Sequence, residues 1–416
     1  MERLSKVMVF SLGLFIRVAV AWSRGPNPQA QVPCFFIFGD SLVDNGNNNN
    51  ILTLARANYR PYGVDFPQGP SGRFTNGRTM VDILAQLLGF RNYIPPYSVA
   101  RGAEVLRGLN FASGAAGIRG ETGNNLNVLE LYIILPIVTA FLWRALSLAE
   151  QVNHFRSTLQ QMKRIFRGNT TRLADYVSKC IFYVGMGSND YLNNYFMPTM
   201  YSTSYDYTPK TYAALLLQDY SRQLTVSIIE SAFTCMVENH NRISWSITEF
   251  QELYDLGARK VAVVGVGQIG CIPYELARYN NRSNKNRTGV QCNETINKAI
   301  VMFNTGLVQM VNRCNNELHE AKFIYVNTYE SSKDLAANAA TYGFDVIDKG
   351  CCGVGRNNGQ ITCLPLQTPC EDRSKYLFWD AFHPTEDANV INAKKAYNST
   401  SPSDVYPMNI QQLALA

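Results

Sequence analysis

The chain has 416 residues, 46% hydrophobic and 17% charged, with a net charge of +6. That is ordinary globular composition with ample material for a core, and the scattered Lys and Arg residues form no basic stripe of the kind that binds nucleic acid. The first apolar run is too short to span a bilayer, which excludes a membrane anchor there. This N-terminus reads instead as a secretory signal over residues 1–21. Arg3 and Lys6 give a charged start, Val7 to Ile16 an apolar stretch, interrupted afterwards by Arg17, and Ala19-Val20-Ala21 a small-x-small cleavage site.

Strand-like apolar runs then recur at Cys34–Phe38, Leu109–Ala112, Cys180–Val184, Lys260–Gly265 and Lys322–Val326. Between and after them lie helix-patterned stretches at Thr79–Leu88, Leu148–Phe166, Pro209–Leu224, Glu294–Leu318, Ser331–Tyr342 and Thr385–Tyr397. This alternation predicts an α/β fold of three layers, α/β/α, around a central, mostly parallel sheet of five strands. No repeat and no Pro-rich or Gly/Ser linker divides the chain, so residues 33–400 are expected to form a single domain. Two segments break the pattern: Leu131–Trp143 is apolar with Pro136 in its middle, and Thr225–Phe250 carries Cys235, His240 and Trp245 with no clear period.

Five sequons, at Asn169, Asn281, Asn286, Asn293 and Asn398, agree with secretion. So do the cysteines. Of ten, Cys271, Cys292, Cys351, Cys352, Cys363 and Cys370 form an even group within which Cys314 is the spacing outlier. In an oxidising compartment such a group points to disulfides, whose connectivity spacing does not reveal. Zinc is the weaker reading, because no Cys-x-x-Cys pair occurs and no His stands among them at ligand spacing.

The residues that carry chemistry are few. Phe35-Phe36-Ile37-Phe38 ends at Gly39-Asp40-Ser41, which places the Ser41 hydroxyl at the carboxyl end of a buried strand, where open α/β sheets collect ligands. Of four histidines, His154 and His319 read as solvated helix faces and His240 lies in the irregular segment. His383 is followed by Pro384 and preceded at three residues by Asp380, a spacing that lets the carboxylate meet the imidazole Nδ1–H and leave Nε2 as a base. The small-residue loop Gly108–Ile118 and the strand end Gly187-Ser188-Asn189-Asp190 each offer an amide donor for an oxyanion, although a tight turn or an Asx-turn explains either one alone. Gly265-Val266-Gly267-Gln268-Ile269-Gly270 fits the spacing of a dinucleotide fingerprint, but Cys271-Ile272-Pro273 follows where a helix should open beneath the glycines. No G-x-S-x-G elbow is present, which argues against the usual α/β-hydrolase fold.

Taken in order, Gly39-Asp40-Ser41-Leu42, the loop 108–118, Gly187-x-Asn189-Asp190 and Asp380-x-x-His383 resemble the blocks of the plant GDSL esterase/lipase family, part of the SGNH hydrolase superfamily. The likeness runs through most of 33–397 and includes Cys271-Ile272-Pro273, Asp348–Gly353 and Phe378-Trp379-Asp380. It implies a flavodoxin-like sheet and a secreted serine esterase or lipase of the apoplast or cell wall. Ser41 would be the nucleophile, His383 the general base and Asp380 its orienter. Gly114, Asn189 and the Ser41 N–H would form the oxyanion hole. It implies no cofactor, no metal and no nucleic-acid partner, with a small-molecule or lipid ester as substrate. An acyltransferase of the cutin type using the same serine, or an inactive binding protein on the same fold, are the alternatives. The chain departs from the resemblance in two places, Asn127–Leu146 and Thr225–Gln251, which read as extra segments whose removal joins family-like sequence on either side.

Overall fold

A computed structural model describes residues 30–124, 145–223, 252–278 and 290–416. The signal segment 1–21, the segment 225–251 with Cys235 and His240, all but the last two residues of 127–146, and Asn281 and Asn286 lie outside the described residues. Among the described residues a five-stranded sheet is built from β1 (Phe35–Gly39), β2 (Ile181–Gly185), β3 (Lys260–Val264), β4 (Lys322–Val326) and β7 (Val405–Tyr406), in that spatial order. The first four run parallel, with Gly39 opposite Gly185 and Gly185 opposite Val264. β7 closes the far edge antiparallel to β4. A separate pair, β5 (Val346–Gly350) and β6 (Tyr376–Phe378), is also parallel.

The sheet's two faces follow the period of two that a strand imposes. Phe36, Phe38, Phe182, Val184, Val261, Val263, Phe323 and Tyr325 enter one core with the helices Leu148–Ile165, Pro209–Gln223 and Glu294–Glu317. Phe35, Ile37, Ile181, Tyr183, Ala262, Val264, Ile324 and Val326 enter the other with Met80–Leu87, Glu386–Asn398 and Ile410–Leu415. Strands apolar on both faces are what a parallel sheet between two helical layers requires. The helix starts are fixed locally: the Thr79 hydroxyl and the Asp82 carboxylate cap one another, and the Asn293 and Thr385 side chains cap the helices that follow them.

Two expectations are corrected. Leu109–Ala112 is not a regular strand. It runs beside β1, with Ile37 N–H donating to Leu109 O and Phe111 N–H to Ile37 O, but Asn110 Oδ1 accepts from Ala112 N–H at 2.9 Å. That side-chain turn draws the backbone out of the ladder, so the fifth strand is the two-residue β7 instead. The fold also runs past residue 400, since β7 and the helix Ile410–Leu415 belong to the sheet and its core.

Among the described residues the disulfides are Cys34–Cys180, Cys271–Cys292, Cys351–Cys370 and Cys352–Cys363. All six grouped cysteines are paired, and Cys314 is a buried free thiol. The Cys34–Cys180 bridge, which joins the residues just before β1 and β2, was hidden in the sequence because both cysteines sit inside apolar strand runs.

Candidate active site

Ser41 stands two residues beyond β1. The corner is tight: Val43 and Asp44 N–H both donate to Asp40 O, and Leu42 N–H donates to the Asp40 carboxylate at 2.9 Å. Gly39 has to be glycine here, because a Cβ would come within 2.5 Å of Val43 Cγ2 and 3.2 Å of Gly185 O. Its peptide groups are clamped by Gln151, whose Oε1 accepts from Gly39 N–H at 2.9 Å and whose Nε2 donates to Gly39 O at 2.8 Å. The strand end that carries Ser41 is therefore fixed from both sides.

His383 reaches it from the other end of the chain. His383 Nε2 lies 2.8 Å from Ser41 Oγ, and Nδ1 lies 2.8 and 2.9 Å from the two Asp380 oxygens. A carboxylate facing Nδ1 keeps the proton there, so Nε2 is left to accept from the serine. Asp380 is fully buried and its carboxylate also accepts from the Phe382 and His383 N–H groups and from Tyr62 OH at 2.5 Å. Burial alone would raise its pKa. The charge of His383 and the bonds from His383 and Tyr62 outweigh burial and bring it below the ordinary carboxylate range. Phe74 packs on the imidazole, ring centroids 5.1 Å apart. The Asp380 loop is braced by the β5–β6 pair, where Cys351 N–H donates to Phe378 O and Cys352 N–H to Trp379 O.

Opposite the histidine lies the small-residue loop. Asn189 is oriented by two bonds: its Nδ2 donates to Ala116 O at 2.9 Å and its Oδ1 accepts from Asn193 Nδ2 at 2.7 Å. The second hydrogen on Nδ2 has no acceptor among the described residues, and Asn189 lines the cavity at Ser41. Gly114 departs from expectation. Its N–H donates to the Asp44 carboxylate at 2.9 Å, so it is not a free donor. Asp190, the residue after Asn189, accepts from Ile118 N–H, Arg119 N–H and Thr122 Oγ1 at 2.8, 3.1 and 2.8 Å. Asp44 and Asp190 thus pin the loop at two points. Both are fully buried, with no cation beside the carboxylate among the described residues, and burial pushes each up to about 6 against the backbone bonds that favour the charged form. Asp40 is likewise pushed to about 6 by burial.

A cavity of about 790 Å³ joins Ser41, Asn189 and His383. Met80, Tyr183, Met186, Leu192, Leu377 and Phe382 are among the side chains that line it. The lining is mainly apolar, with the reactive groups grouped at one place, as in a site for an organic substrate.

The sequence has counterparts among known proteins. The family model described as GDSL-like lipase/acylhydrolase matches residues 35–396. The chain belongs to that family. It is 58% identical to the Arabidopsis thaliana protein named GDSL esterase/lipase At1g33811, over 98% of this chain and 98% of the relative. It is 49% identical to GDSL esterase/lipase At1g29670 from the same plant, over 93% of this chain and 92% of the relative. Membership gives the GDSL chain its enzyme class, a carboxylic ester hydrolase.

In this GDSL chain the structure brings Ser41, Asp380, His383 and Asn189 to one cavity, and Gly114 stands behind it with its N–H engaged. His154 is not on a solvated face: it is half-buried and stacked on Tyr97 at 4.2 Å, and burial lowers its pKa. His319 is exposed, as its helix pattern suggests. At the Gly265–Gly270 fingerprint, the helix that follows is the six-residue Pro273–Arg278, and the Gly270 N–H is already bonded to Asn297 Oδ1. Tyr62, Asp44 and Gln151 escape sequence reasoning, since each meets its partner at 318, 70 and 112 residues' separation.

Proposed function

We propose that this GDSL chain is a secreted serine esterase that hydrolyses carboxylic esters through an acyl-enzyme on Ser41. The continuous Ser41–His383–Asp380 hydrogen-bonded chain, opening on an apolar cavity, supports this reading. Ser41 Oγ attacks the ester carbonyl carbon as its proton passes to His383 Nε2, and the carbonyl electron pair moves onto oxygen. Collapse of the tetrahedral species breaks the carbon–alkoxy bond, and the leaving alcohol takes the proton from Nε2. Water then repeats the cycle in reverse, with His383 again base and then acid. The Asp380 carboxylate stabilises the imidazolium formed in each half and holds its tautomer. The apolar walls suit an ester with an apolar acyl part, excluding bulk water from the carbonyl.

Secretion rests on the N-terminal segment read from sequence and on the disulfides, which persist in oxidising compartments. Among the described residues no helix is long and apolar enough to cross a membrane. Asn169 and Asn398 are exposed and suited to carry glycans, and Asn169 caps its helix through Oδ1, which leaves Nδ2 for the sugar. Asn293 is half-buried, with its side chain turned to Glu275.

Ser41→Ala tests the reading. The purified wild-type protein should label with a fluorophosphonate and turn over a short-chain ester, and the variant should do neither while keeping its thermal midpoint. Ester turnover that survives the substitution would refute the assignment.

A further inference from the structure

We propose that the backbone N–H of Ala115, rather than that of Gly114, is the loop amide that stabilises the oxyanion. The inference deepens the serine reading above and rests on it. Ser113–Ala116 is a β-turn closed by the Ala116 N–H donating to Ser113 O at 3.1 Å. Its third residue, Ala115, has φ 67°, whereas Gly114 before it is not among the residues of positive φ. That is the pattern of a type II turn, whose third position ordinarily asks for glycine. An alanine held in the left-handed region is a strained backbone, and such strain concentrates where the surrounding structure has a use for it.

The orientation of the Gly114–Ala115 peptide supplies the use. Its carbonyl, Gly114 O, accepts from Asn48 Nδ2 at 3.0 Å. In a planar trans peptide the N–H points opposite to the carbonyl, so the Ala115 N–H faces away from Asn48. Ala115 is 4% exposed and lines the cavity together with Ser41, Asn189 and His383. Among the described residues nothing accepts from its N–H. Buried backbone N–H groups without a partner are rare, and an acceptor that arrives with the substrate accounts for this one.

The neighbouring amide is differently placed. Gly114 N–H is committed to Asp44 at 2.9 Å, a bond to a carboxylate that would have to break before the group could serve an oxyanion. Asn189 Nδ2, the side-chain donor, is anchored on Ala116 O, the residue after Ala115. The turn therefore sets the two donors one residue apart. When Ser41 Oγ bonds to the ester carbon, the charge that moves onto the carbonyl oxygen meets Ala115 N–H, Asn189 Nδ2–H and Ser41 N–H together. Gly114 and Asp44 then position the turn, and neither touches the reacting atoms.

Two experiments test this. The first is a crystal structure of the protein inhibited with an alkyl phosphonate p-nitrophenyl ester. The phosphonyl oxygen is expected within hydrogen-bond distance of Ala115 N, with Gly114 N still on Asp44. A Ser41 phosphonate whose oxygen is held by Gly114 N would overturn the inference alone, whereas no phosphonate on Ser41 would overturn the serine reading and this inference with it. The second replaces the Ala115 residue by its α-hydroxy analogue, lactate, which removes that single N–H and keeps the side chain. A fall in kcat of about 10²-fold or more with little change in KM is expected. Unchanged kcat would overturn the proposal.

Discussion

Asp380 and His383 lie three residues apart and meet within one turn, whereas the loop facing them is held by Asp44 from 70 residues before Gly114 and by Asp190 from 72 residues after Ile118. The base side of the site is a local motif, whose carboxylate bonds its own turn and orients its own imidazole. The opposite side is an assembly of groups that only the finished sheet brings together, and its carboxylates are spent on backbone amides instead of on catalysis. The same residue type therefore carries opposite electrostatics. Asp380 is held below the ordinary range beside His383, while Asp44 and Asp190 are raised by burial, with no cation among the described residues to offset it.

The comparison predicts unequal costs. Asp380→Asn keeps the shape of the turn but spoils the tautomer, and kcat should fall by about 10⁴-fold. Steady-state kinetics showing a loss no larger than that of a single oxyanion donor would erase the asymmetry. Asn189→Ala removes one such donor, and about 10²- to 10³-fold in kcat is expected, with KM little altered. Tyr62→Phe probes how local the base side is. Among the described residues the phenol makes the one long-range bond to Asp380, from 318 residues away. Losing a bond to a charged group costs about 1.5 kcal/mol or more, near tenfold in rate, and a loss as deep as that of Asp380→Asn would show that the base side is not self-contained.

The smallest expected effect is on stability against pH. Burial raises the folded values of Asp40, Asp44 and Asp190 to about 6, above the ordinary carboxyl value of 3.8. Their contribution is therefore fully present below about pH 4 and is lost as pH rises through about 6. Asp380 runs the other way, its contribution present above its unfolded value and lost only in stronger acid. His154, lowered by burial, also favours higher pH, whereas Asp219 and Glu275, raised by burial, act in the same direction as the three aspartates. Calorimetry should show the thermal midpoint falling by several degrees between pH 5 and 7.5, with a shallower fall in Asp44→Asn. An identical slope in that variant would remove Asp44 from the account.

What could be read from sequence follows the same division. The alternation of apolar runs and helical stretches announces the parallel sheet, because buried strands and amphipathic helices differ in period over short windows. Ser41 and the Asp380-x-x-His383 turn are visible because their roles depend on neighbours within a few positions. β7 was not, since two residues carry no period, and Leu109–Ala112 misled because one asparagine side chain diverts an otherwise strand-like backbone. Gly114 is the oxyanion donor that the family resemblance implies. Only the position of Asp44 in three dimensions shows that its N–H is taken, and only the φ of Ala115 shows that the strained residue of the turn is the alanine.

The 342-residue separation of Ser41 and His383 also governs when the two side chains can meet. At about 5–20 residues per second, a ribosome that has released the serine needs roughly 17–70 s more before the histidine follows. On the serine reading proposed above, the pair is therefore complete only when synthesis is all but finished, so the order of the residues along the chain sets the moment at which turnover can begin.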